Sequence, residues 1–581
     1  MTIIQEREAN RLVAEEGLRL GFSALQADII SRRLSSALEV EAVVRPMLAN
    51  IPHPSLLADC DRGAARIVQA CKDGEHIGLV TDYDVDGLTS QAIMVHGFLD
   101  FFGHDPELLS CFVGHRHKDG YGLSEQLTER IIGQKNRPSL IITADCGSSD
   151  EPRLAQLADL GIEVVVTDHH LLSENNLPIS AYAHINPQRL DCDYPDKSLA
   201  GCLVCWLLMS RVRTMLVEEG RLSPKSPKLG SLLDYVALGT VADSMSLQSP
   251  VNRAVVAAGL RGCQSGGRPC WGAASSMLGK SRGELGCQDF AFQIGPRVNA
   301  ASRMAEPERA AKFLLAADRA QAKEALARLE NLNRERKEVE QQAMEICARW
   351  VGELAEVPAI IVISHPSFHP GILGIIASRL VEQYRRPAIV ASPMADGETL
   401  QASGRSVPGF DLRAMLADVA ALDDSLLSFG GHAAAVGLKL ALPDLASFRQ
   451  AATGLAAKLL GDTPAETLIV TDGSLAPELM TLATIDELDQ LAPFGQHFAT
   501  PCFQARMEII SQRFVGEQQN HLMLQLKAGN ERLRAIWFRC QGHDLGFLEN
   551  SKNVLACFEL QRNRFRGQTS VQLLIKHLAP A

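Results

Sequence analysis

The sequence predicts an α/β protein built from several domains: a parallel sheet, a long connecting helix, a second α/β unit and a small C-terminal β-barrel. Three observations predict this class. Short apolar runs alternate with helical stretches in the first half of the chain, as in parallel sheets with buried strands. A long stretch without Gly or Pro follows. Beyond about Thr467, apolar and polar residues alternate between turns, which is typical of small barrels.

Each element follows from a local pattern. The first 50 residues are expected to be helical, because apolar positions recur at spacings of three and four and no Gly lies between Gly21 and Gly63. Strands are then expected at the apolar runs HIGLV (76–80), SLIIT (139–143) and IEVVVT (162–167). Polar residues follow each run directly, so each strand is expected to end there.

The second half of the chain continues the pattern. The segment Ala316–Arg349 is rich in Ala, Glu, Arg and Leu, which favours one helix, either a spacer between domains or an ordinary packed helix. The runs AIIVIS (359–364) and PAIVAS (387–392) predict a second α/β unit. The predicted domains are 1–50, 51–310, 311–352, 353–462 and 463–581.

The charge balance allows a nucleic-acid partner only locally. The chain has 57 Lys and Arg against 68 Asp and Glu, a net charge of −11, which ordinarily argues against such a partner. The segment from Pro501 to Ala581, however, contains 11 basic residues and 6 acidic residues. The basic excess is therefore confined to the predicted barrel.

Composition predicts a cytoplasmic protein without a membrane partner. No apolar run approaches the roughly 20 residues that span a bilayer, and the N-terminus mixes acids with bases, unlike a targeting segment. The 14 cysteines are scattered, and the single C-x-x-C, Cys202 and Cys205, lies in an apolar run. That pair is expected to be buried core rather than a zinc or disulfide site.

Acidic residues follow three of the predicted strands. Asp82, Asp84 and Asp86 come after the first, Asp145 after the second, and Asp168–His170 after the third. Ligands of open parallel sheets bind beyond the carboxyl ends of the strands. If these strands are neighbours, five carboxylates converge there and repel one another unless cations are bound.

The donor set points to two hard cations. Oxygen-rich ligation with one or two imidazoles favours Mg²⁺ or Mn²⁺. So many carboxylates suit a pair of ions about 3.5–4 Å apart, which activates a water and stabilises a phosphorus centre. Asp243, which follows another apolar stretch, could join the cluster.

Each motif has a simpler interpretation on its own. D-x-D-x-D-G also occurs in calcium loops, although Ile93 at the twelfth position excludes an EF-hand. Asp168 could merely cap a helix. Their joint occurrence at successive strand ends favours the metal site.

In this order, the motifs resemble the DHH phosphoesterase family, and the chain from about residue 50 onward resembles the bacterial exonuclease branch of that family. The resemblance implies a DHH catalytic domain, a connecting helix, a DHH-associated domain and an OB-fold. The segments that carry it are DYDVDGLTS (82–90), RHKDGYGL (116–123), DCG (145–147), DHH (168–170), ALGTVADSM (237–245) with NR (252–253), FQIGPRVNAASRM (292–304), SFHPGILGIIASRL (367–380), ASGRSVPGFDL (402–412), FGGHAAAVGL (429–438) and NRFRGQTSVQLLI (563–575).

The resemblance also implies roles for individual residues in the metal site. Asp84 and Asp86 are expected to bind separate ions that Asp145 bridges. His170 is expected to contact the scissile phosphate, and Asp168 to orient an imidazole. The implied catalytic residues are Asp84, Asp145, Asp168 and His170, and the implied ligands of two Mn²⁺ or Mg²⁺ ions are Asp82, Asp84, Asp86, Asp145, His169 and Asp243.

A second implied set binds the substrate. Arg405, beside Ser403, is expected to hold a 5′ phosphate, for which the guanidinium fork is suited. For Arg303 a salt bridge is nearly as good an interpretation. The Gly430–His432 segment reads as a close-approach loop by resemblance, and otherwise as a helix-capping turn. The full implied set is Arg116, Arg297, Arg303, Ser403, Arg405, Gly430, Gly431 and His432.

The predicted barrel carries basic and aromatic side chains suited to single strands. One of Trp537 and Phe538 is expected to be core instead. The candidates are Arg513, Trp537, Phe538, Arg562, Arg564, Phe565 and Arg566. Three segments depart from the pattern of the family that the chain resembles. They are PFGQHFATPCF (493–503), DCGSSD (145–150), which has serines where an apolar residue is usual, and PSFHPG, which has Phe368 where Trp is common.

The function implied is a metal-dependent exonuclease that degrades single-stranded DNA from its 5′ end to mononucleotides, in DNA repair and recombination. Two alternatives stay open at this point: a DHH phosphodiesterase of short RNAs or cyclic dinucleotides, and an inactive DNA-binding scaffold. The implied partners are single-stranded DNA, a single-strand-binding protein and a helicase.

Overall fold

The computed structural model describes residues 2–172, 177–422, 425–460, 466–516, 519–540, 545–565 and 567–581. Two compact units divide the chain: Leu48–Ala465, and Met1–Met47 together with Glu466–Ala581. None of the described helices has the length and apolar character needed to cross a bilayer.

The N-terminal segment is only partly helical. Its first residues form a strand, so the prediction of helix for them is wrong. The run Thr2–Ile4 is β-branched, which favours extended backbone, and the first helix begins only after the cap at Asn10. The elements are β1 (Thr2–Glu6), α1 (Arg11–Arg19), α2 (Ala24–Ser31) and α3 (Val40–Val44).

A five-stranded parallel sheet forms the centre of the second unit, Leu48–Ala465. Its strand order is β3-β2-β4-β5-β6, and β2 and β4 are buried on both faces. This confirms the predicted parallel sheet and makes the three acid-bearing strands direct neighbours. The strands are β2 (Ile77–Thr81), β3 (Leu109–Val113), β4 (Leu140–Ala144), β5 (Glu163–Thr167) and β6 (Ala183–Ile185).

Helices surround this sheet and continue beyond it. Cys202 and Cys205 are buried in one of them, as expected. The helices are α4 (Cys60–Asp73), α5 (Val85–His96), α6 (Glu125–Ile132), α7 (Glu151–Asp159), α8 (Gly201–Glu218), α9 (Leu233–Ala242), α10 (Pro250–Gln264), α11 (Pro269–Met277), α12 (Cys287–Asp289), α13 (Gly295–Met304) and α14 (Glu308–Leu314).

The predicted long helix is α15, Arg319–Gly352. Its first half packs against α11, α13 and α14. Near its end, Ala343 and Cys347 join the core of the following domain. The helix is therefore both a connection between domains and a packed element.

The following domain is a mixed sheet with the strand order β10-β11-β9-β8-β7. β7 and β8 are parallel, and the other pairs are antiparallel. Its elements are β7 (Ile361–Ser364), α16 (Leu373–Tyr384), β8 (Ala388–Pro393), β9 (Thr399–Arg405), α17 (Leu412–Leu422), β10 (Leu426–His432), β11 (Ala435–Ala441) and α18 (Leu445–Leu460).

The C-terminal residues form the predicted closed barrel, with the order β13-β14-β15-β17-β16. Ahead of the barrel, β12 pairs in parallel with β1. The elements are β12 (Thr467–Thr471), α19 (Leu482–Asp489), β13 (Phe503–Val515), β14 (His521–Ala528), β15 (Glu531–Trp537), α20 (Phe547–Asn550), β16 (Asn553–Phe565) and β17 (Gln568–Pro580).

The barrel candidates divide as expected between core and surface. Trp537 is buried, whereas Phe538 is 52% exposed. Arg562 is held by Asp486 and Asp489 of α19, and Arg513 and Arg564 are exposed. Arg566 and the side chain of Phe565 lie outside the described residues.

Candidate metal centre

The acidic side chains converge where the parallel strands end. Three groups have ligand atoms within 4.8 Å of one another. Because β2, β4 and β5 are adjacent and parallel, the residues that follow them share one edge of the sheet. The groups are Asp82 with Asp84 and Asp145, Asp86 with His169 and Asp243, and Asp145 with His169 and His170.

The first acidic motif is shaped by the start of α5. Asp84 caps this helix and accepts hydrogen bonds from the backbone N–H groups of Asp86 and Gly87 at 2.9 and 3.2 Å. A Cβ at Gly87 would lie 2.3 Å from the carbonyl oxygen of Asp82, so only glycine fits there. This turn brings the three aspartates together after β2.

Asp86 is also held by a second helix. Its carboxylate accepts the backbone N–H groups of Gly201 and Cys202 at 2.7 and 2.9 Å. These groups belong to the first turn of α8, which favours a negative charge. A Cβ at Gly239 would lie 2.8 Å from Asp86 Oδ1, and one at Gly201 would lie 2.8 Å from Asp145 Oδ1. No sequence pattern marks these two glycines, because only this close approach of other atoms requires them.

Asp145 and His169 form the middle of the cluster. Asp145 adopts a left-handed φ of 64°, which is uncommon for a residue with a side chain and turns its carboxylate into the crevice. His169 Nε2 lies 3.1 Å from Asp145 Oδ1, 3.6 Å from Asp243 Oδ2 and 3.8 Å from Asp86 Oδ2. One imidazole nitrogen therefore faces three carboxylates.

The residues fit divalent cations. Four buried atoms in this crevice have no hydrogen-bond partner in the described chain: Asp82 Oδ1, Asp145 Oδ1, His169 Nε2 and Asp243 Oδ2. Buried polar atoms without partners are rare. All four belong to predicted ligands, and oxygen with imidazole nitrogen is the donor set that suits Mn²⁺ or Mg²⁺.

The electrostatics agree with that fit. Burial, followed by the charge of Asp84, raises the pKa of Asp82 to about 8. Burial and the neighbouring Asp86 raise the pKa of Asp243 to about 9 and that of Asp145 well above its usual range. The crowded carboxylates therefore need positive charge beside them to ionise together.

Asp168 orients His170 rather than the predicted metal ligand His169. Its Oδ1 lies 2.7 Å from His170 Nδ1 and also accepts the backbone N–H groups of both histidines. Burial lowers the pKa of His170, but the carboxylate of Asp168 outweighs it and raises the pKa to about 9. Tyr121, another residue the sequence analysis missed, lies 2.9 Å from His170 Nδ1, and its hydroxyl donates to the carbonyl of Asp145.

The arginines next to the cluster differ in their partners. Among the described residues, Arg116, Arg303 and Arg405 form no ion pair with a carboxylate. Burial and the charge of Arg116 lower the pKa of Arg303 to about 9. Arg297, by contrast, is ion-paired with Glu330 of α15. Arg297, rather than Arg303, therefore forms the kind of salt bridge that was considered for Arg303. The contact of Arg297 with a phosphate stays a prediction.

Arg303 and Arg405 share a cavity of about 300 Å³ between the two α/β domains. Arg405 Nη1 donates to Ser403 Oγ at 3.2 Å. Arg379, which also lines this cavity, is neutralised by Glu340 and Glu382. Arg303 and Arg405 have no carboxylate partner among the described residues, so they are the guanidiniums of this cavity that can bind an anion.

The Gly430–His432 segment belongs to a β-hairpin, so the helix-capping alternative is wrong. In its register His432 pairs with Ala435, and Ala435 pairs with Arg405 on the next strand. The three residues lie in one row across the sheet. Gly431 has a φ of 127°, and a Cβ there would lie 2.3 Å from the carbonyl of Ala435, so the tight hairpin requires glycine.

This fold and this site together define a metal-dependent phosphoesterase of the DHH type. Family models match at the DHH family N-terminal domain (76–240), the DHHA1 domain (356–458) and the RecJ OB domain (471–577). These matches lie inside the predicted domains, whose boundaries stay predictions.

Related proteins narrow the assignment. The single-stranded-DNA-specific exonuclease RecJ of Dickeya dadantii is 36% identical, covering 90% of this chain and 91% of that one. The RecJ of Escherichia coli is 34% identical, covering 95% and 94%. The chain therefore belongs to the RecJ family.

Solved structures agree with this. RecJ of Thermus thermophilus in complex with Mn²⁺ matches with a TM-score of 0.80 at 25% identity, covering all of this chain and 80% of that one. The same protein in complex with Mg²⁺ matches with a TM-score of 0.74. That protein therefore binds ions of the kind that suit the oxygen and imidazole donors of this crevice.

Proposed function

We propose that this protein is a metal-dependent exonuclease that digests single-stranded DNA from the 5′ end and releases mononucleotides, in DNA repair and recombination. The observation that carries the proposal is the set of guanidiniums beside the acidic cluster that have no carboxylate partner in the described part of the chain. Arg116 is close enough to Asp82 and Arg405 for its charge to act on both: it partly offsets the raised pKa of Asp82, and it adds to the effect of burial, which lowers the pKa of Arg405. It therefore connects the metal centre with the cavity of Arg303 and Arg405.

The roles of the residues follow from this arrangement. Bound Mn²⁺ or Mg²⁺ supplies a nucleophilic water and neutralises charge on the phosphate. Arg405 and Ser403 hold the terminal 5′ phosphate, and Arg116 and Arg303 hold the phosphates that follow. His170, kept protonated by Asp168, donates a hydrogen bond to an oxygen of the scissile phosphate.

The barrel supports a long substrate. It is closed like an OB-fold and exposes Phe514 and Phe538, which can stack on bases. Substrates as short as a dinucleotide need no such surface, so that alternative is not favoured. A single-strand-binding protein and a helicase stay predicted partners, and a cytoplasmic location stays a prediction.

The test is digestion of a 5′-labelled single strand with Mn²⁺, next to the same strand in a duplex. The wild-type protein is expected to release labelled mononucleotide from the single strand. Asp84→Ala and Asp145→Ala are each expected to slow this on the order of 100-fold or more, because a metal ligand supplies several kcal/mol. Undiminished digestion by both variants would refute the proposal.

A further inference from the structure

Ser148 carries a buried hydroxyl in the turn after β4. It lies three residues after Asp145. Its side chain is 1% exposed. Burying a hydroxyl without hydrogen-bond partners costs free energy, so the partners of the Ser148 hydroxyl indicate its role.

The hydroxyl is hydrogen-bonded to two residues at the end of β6, which lies beyond β5 in the sheet. Ser148 Oγ accepts a hydrogen bond from Asn186 Nδ2 at 3.0 Å and lies 3.0 Å from His184 Nε2. Burial and the charge of Arg189 lower the pKa of His184 to about 4. The neutral imidazole therefore shares one hydrogen bond with the hydroxyl, and Asn186 is the second partner of that hydroxyl.

The same residues reach His170 by two routes. The backbone N–H of Ser148 donates to Asp168 Oδ2 at 3.0 Å, and the other oxygen of Asp168 holds the ring of His170. Asn186 Nδ2 donates to the backbone carbonyl of His170 at 2.9 Å. One residue thus ties the turn after β4 to the ring and to the backbone of the histidine after β5.

We propose that Ser148, acting with Asn186, is a positioning residue that fixes His170 for the reaction. The inference rests on the proposed function. An apolar side chain at 148 removes the hydrogen bond between Ser148 and the buried His184 Nε2 and also removes one partner of Asn186. Both groups then turn toward other partners, and His170 loses its backbone anchor.

The experiment measures kcat and KM for a 5′-phosphorylated single strand with Mn²⁺. Ser148→Ala and Asn186→Ala are each expected to lower kcat about 10-fold, the range seen for groups that orient a catalytic residue, with KM unchanged. Ser275→Ala is the matched control, because Ser275 is also buried but bonds within its own helix α11; it is expected to keep the wild-type kcat. Asn186→Ala keeps the test decisive if Ser148→Ala does not fold.

The decisive comparison uses a His170→Ala background. If Ser148 acts through His170, Ser148→Ala causes no further loss of kcat there, whereas a purely structural defect lowers kcat by the same factor in both backgrounds and overturns the proposal. A folded Ser148→Ala protein with wild-type kcat also overturns it. If the wild-type protein does not digest the strand at all, the proposed function fails instead.

Discussion

Single glycines decide how closely groups approach in both halves of the site. Gly374 lies in the first turn of α16 and lines the cavity of Arg303 and Arg405. A Cβ there would lie 2.8 Å from Arg405 Nη2 and 3.1 Å from Ser403 Oγ. The end of an arginine side chain can move aside, so an added methyl group displaces the guanidinium without disturbing the fold.

Gly374→Ala is therefore expected to raise KM for a 5′-phosphorylated strand on the order of 10-fold, the value of one charge-assisted hydrogen bond. A 5′-hydroxyl strand does not use this contact, and its KM is expected to be unchanged. Gly454→Ala is the control, because a Cβ at Gly454 in α18 meets nothing within 4 Å. Equal changes in KM for the two DNA strands would show that the cavity does not bind the terminal phosphate.

For single residues, the sequence predicted the acidic side chains of the crevice better than the residues that depend on close contacts. Asp84, Asp86 and Asp145 could be placed together because each follows a buried strand, and strand ends meet at one edge of the sheet. Gly374 and Ser148 could not be found this way. Their roles depend on atoms that approach from other segments of the chain, and local sequence patterns do not show such contacts.

At the scale of elements, the N-terminal segment is bonded to residues more than 460 positions away. β1 pairs with β12 from Thr2↔Thr467 to Glu6↔Thr471. Beside this pair, Arg33 holds Asp472 through two hydrogen bonds of 3.0 and 2.7 Å. Both side chains are almost fully buried, and the partly exposed Arg7 is a second partner of Asp472 at 2.9 Å.

Arg33→Ala is expected to destabilise this unit by about 3–5 kcal/mol, because it leaves a buried carboxylate without its main partner. Hydrogen exchange of the amides of β12 is the measurement, and these amides are expected to exchange faster. Arg11→Ala, which removes an exposed pair with Glu15, is expected to leave their exchange unchanged. Unchanged exchange in Arg33→Ala would show that the pair is dispensable.

The sequence predicted most elements but not this pairing. Apolar runs predicted the parallel strands, and a long stretch without Gly or Pro predicted the helix α15. Alternating apolar and polar residues predicted the barrel. β1 was mistaken for helix because five residues are too few to show a period of two. Its partner is also distant in the chain, so no local pattern marks the contact.

At the scale of the whole molecule, part of the net charge of −11 comes from the acidic residues of the candidate metal centre. In the metal-free protein, Asp82 and Asp243 keep protons up to pKa values of about 8 and 9, whereas in the unfolded chain they release them near pH 4. The folded state then binds more protons than the unfolded state, so its stability falls as the pH rises from about 4 to about 9.

Bound cations offset this loss, since they pair with the ionised carboxylates and stabilise the folded state by mass action. The melting temperature with Mn²⁺ is therefore expected to exceed that with a chelator, by a margin that widens between about pH 5 and about pH 9. In Asp145→Ala the margin is expected to shrink at every pH. A margin independent of pH in the wild-type protein would contradict this account of the cluster.

The central claim is that the acids at the strand ends form a two-ion centre. Anomalous diffraction at the manganese edge from crystals soaked in Mn²⁺ tests it most directly. The account predicts two peaks about 3.5–4 Å apart. A single peak, no peak, or peaks outside this crevice would contradict it. The predicted peaks lie among Asp82, Asp84, Asp86, Asp145, His169 and Asp243.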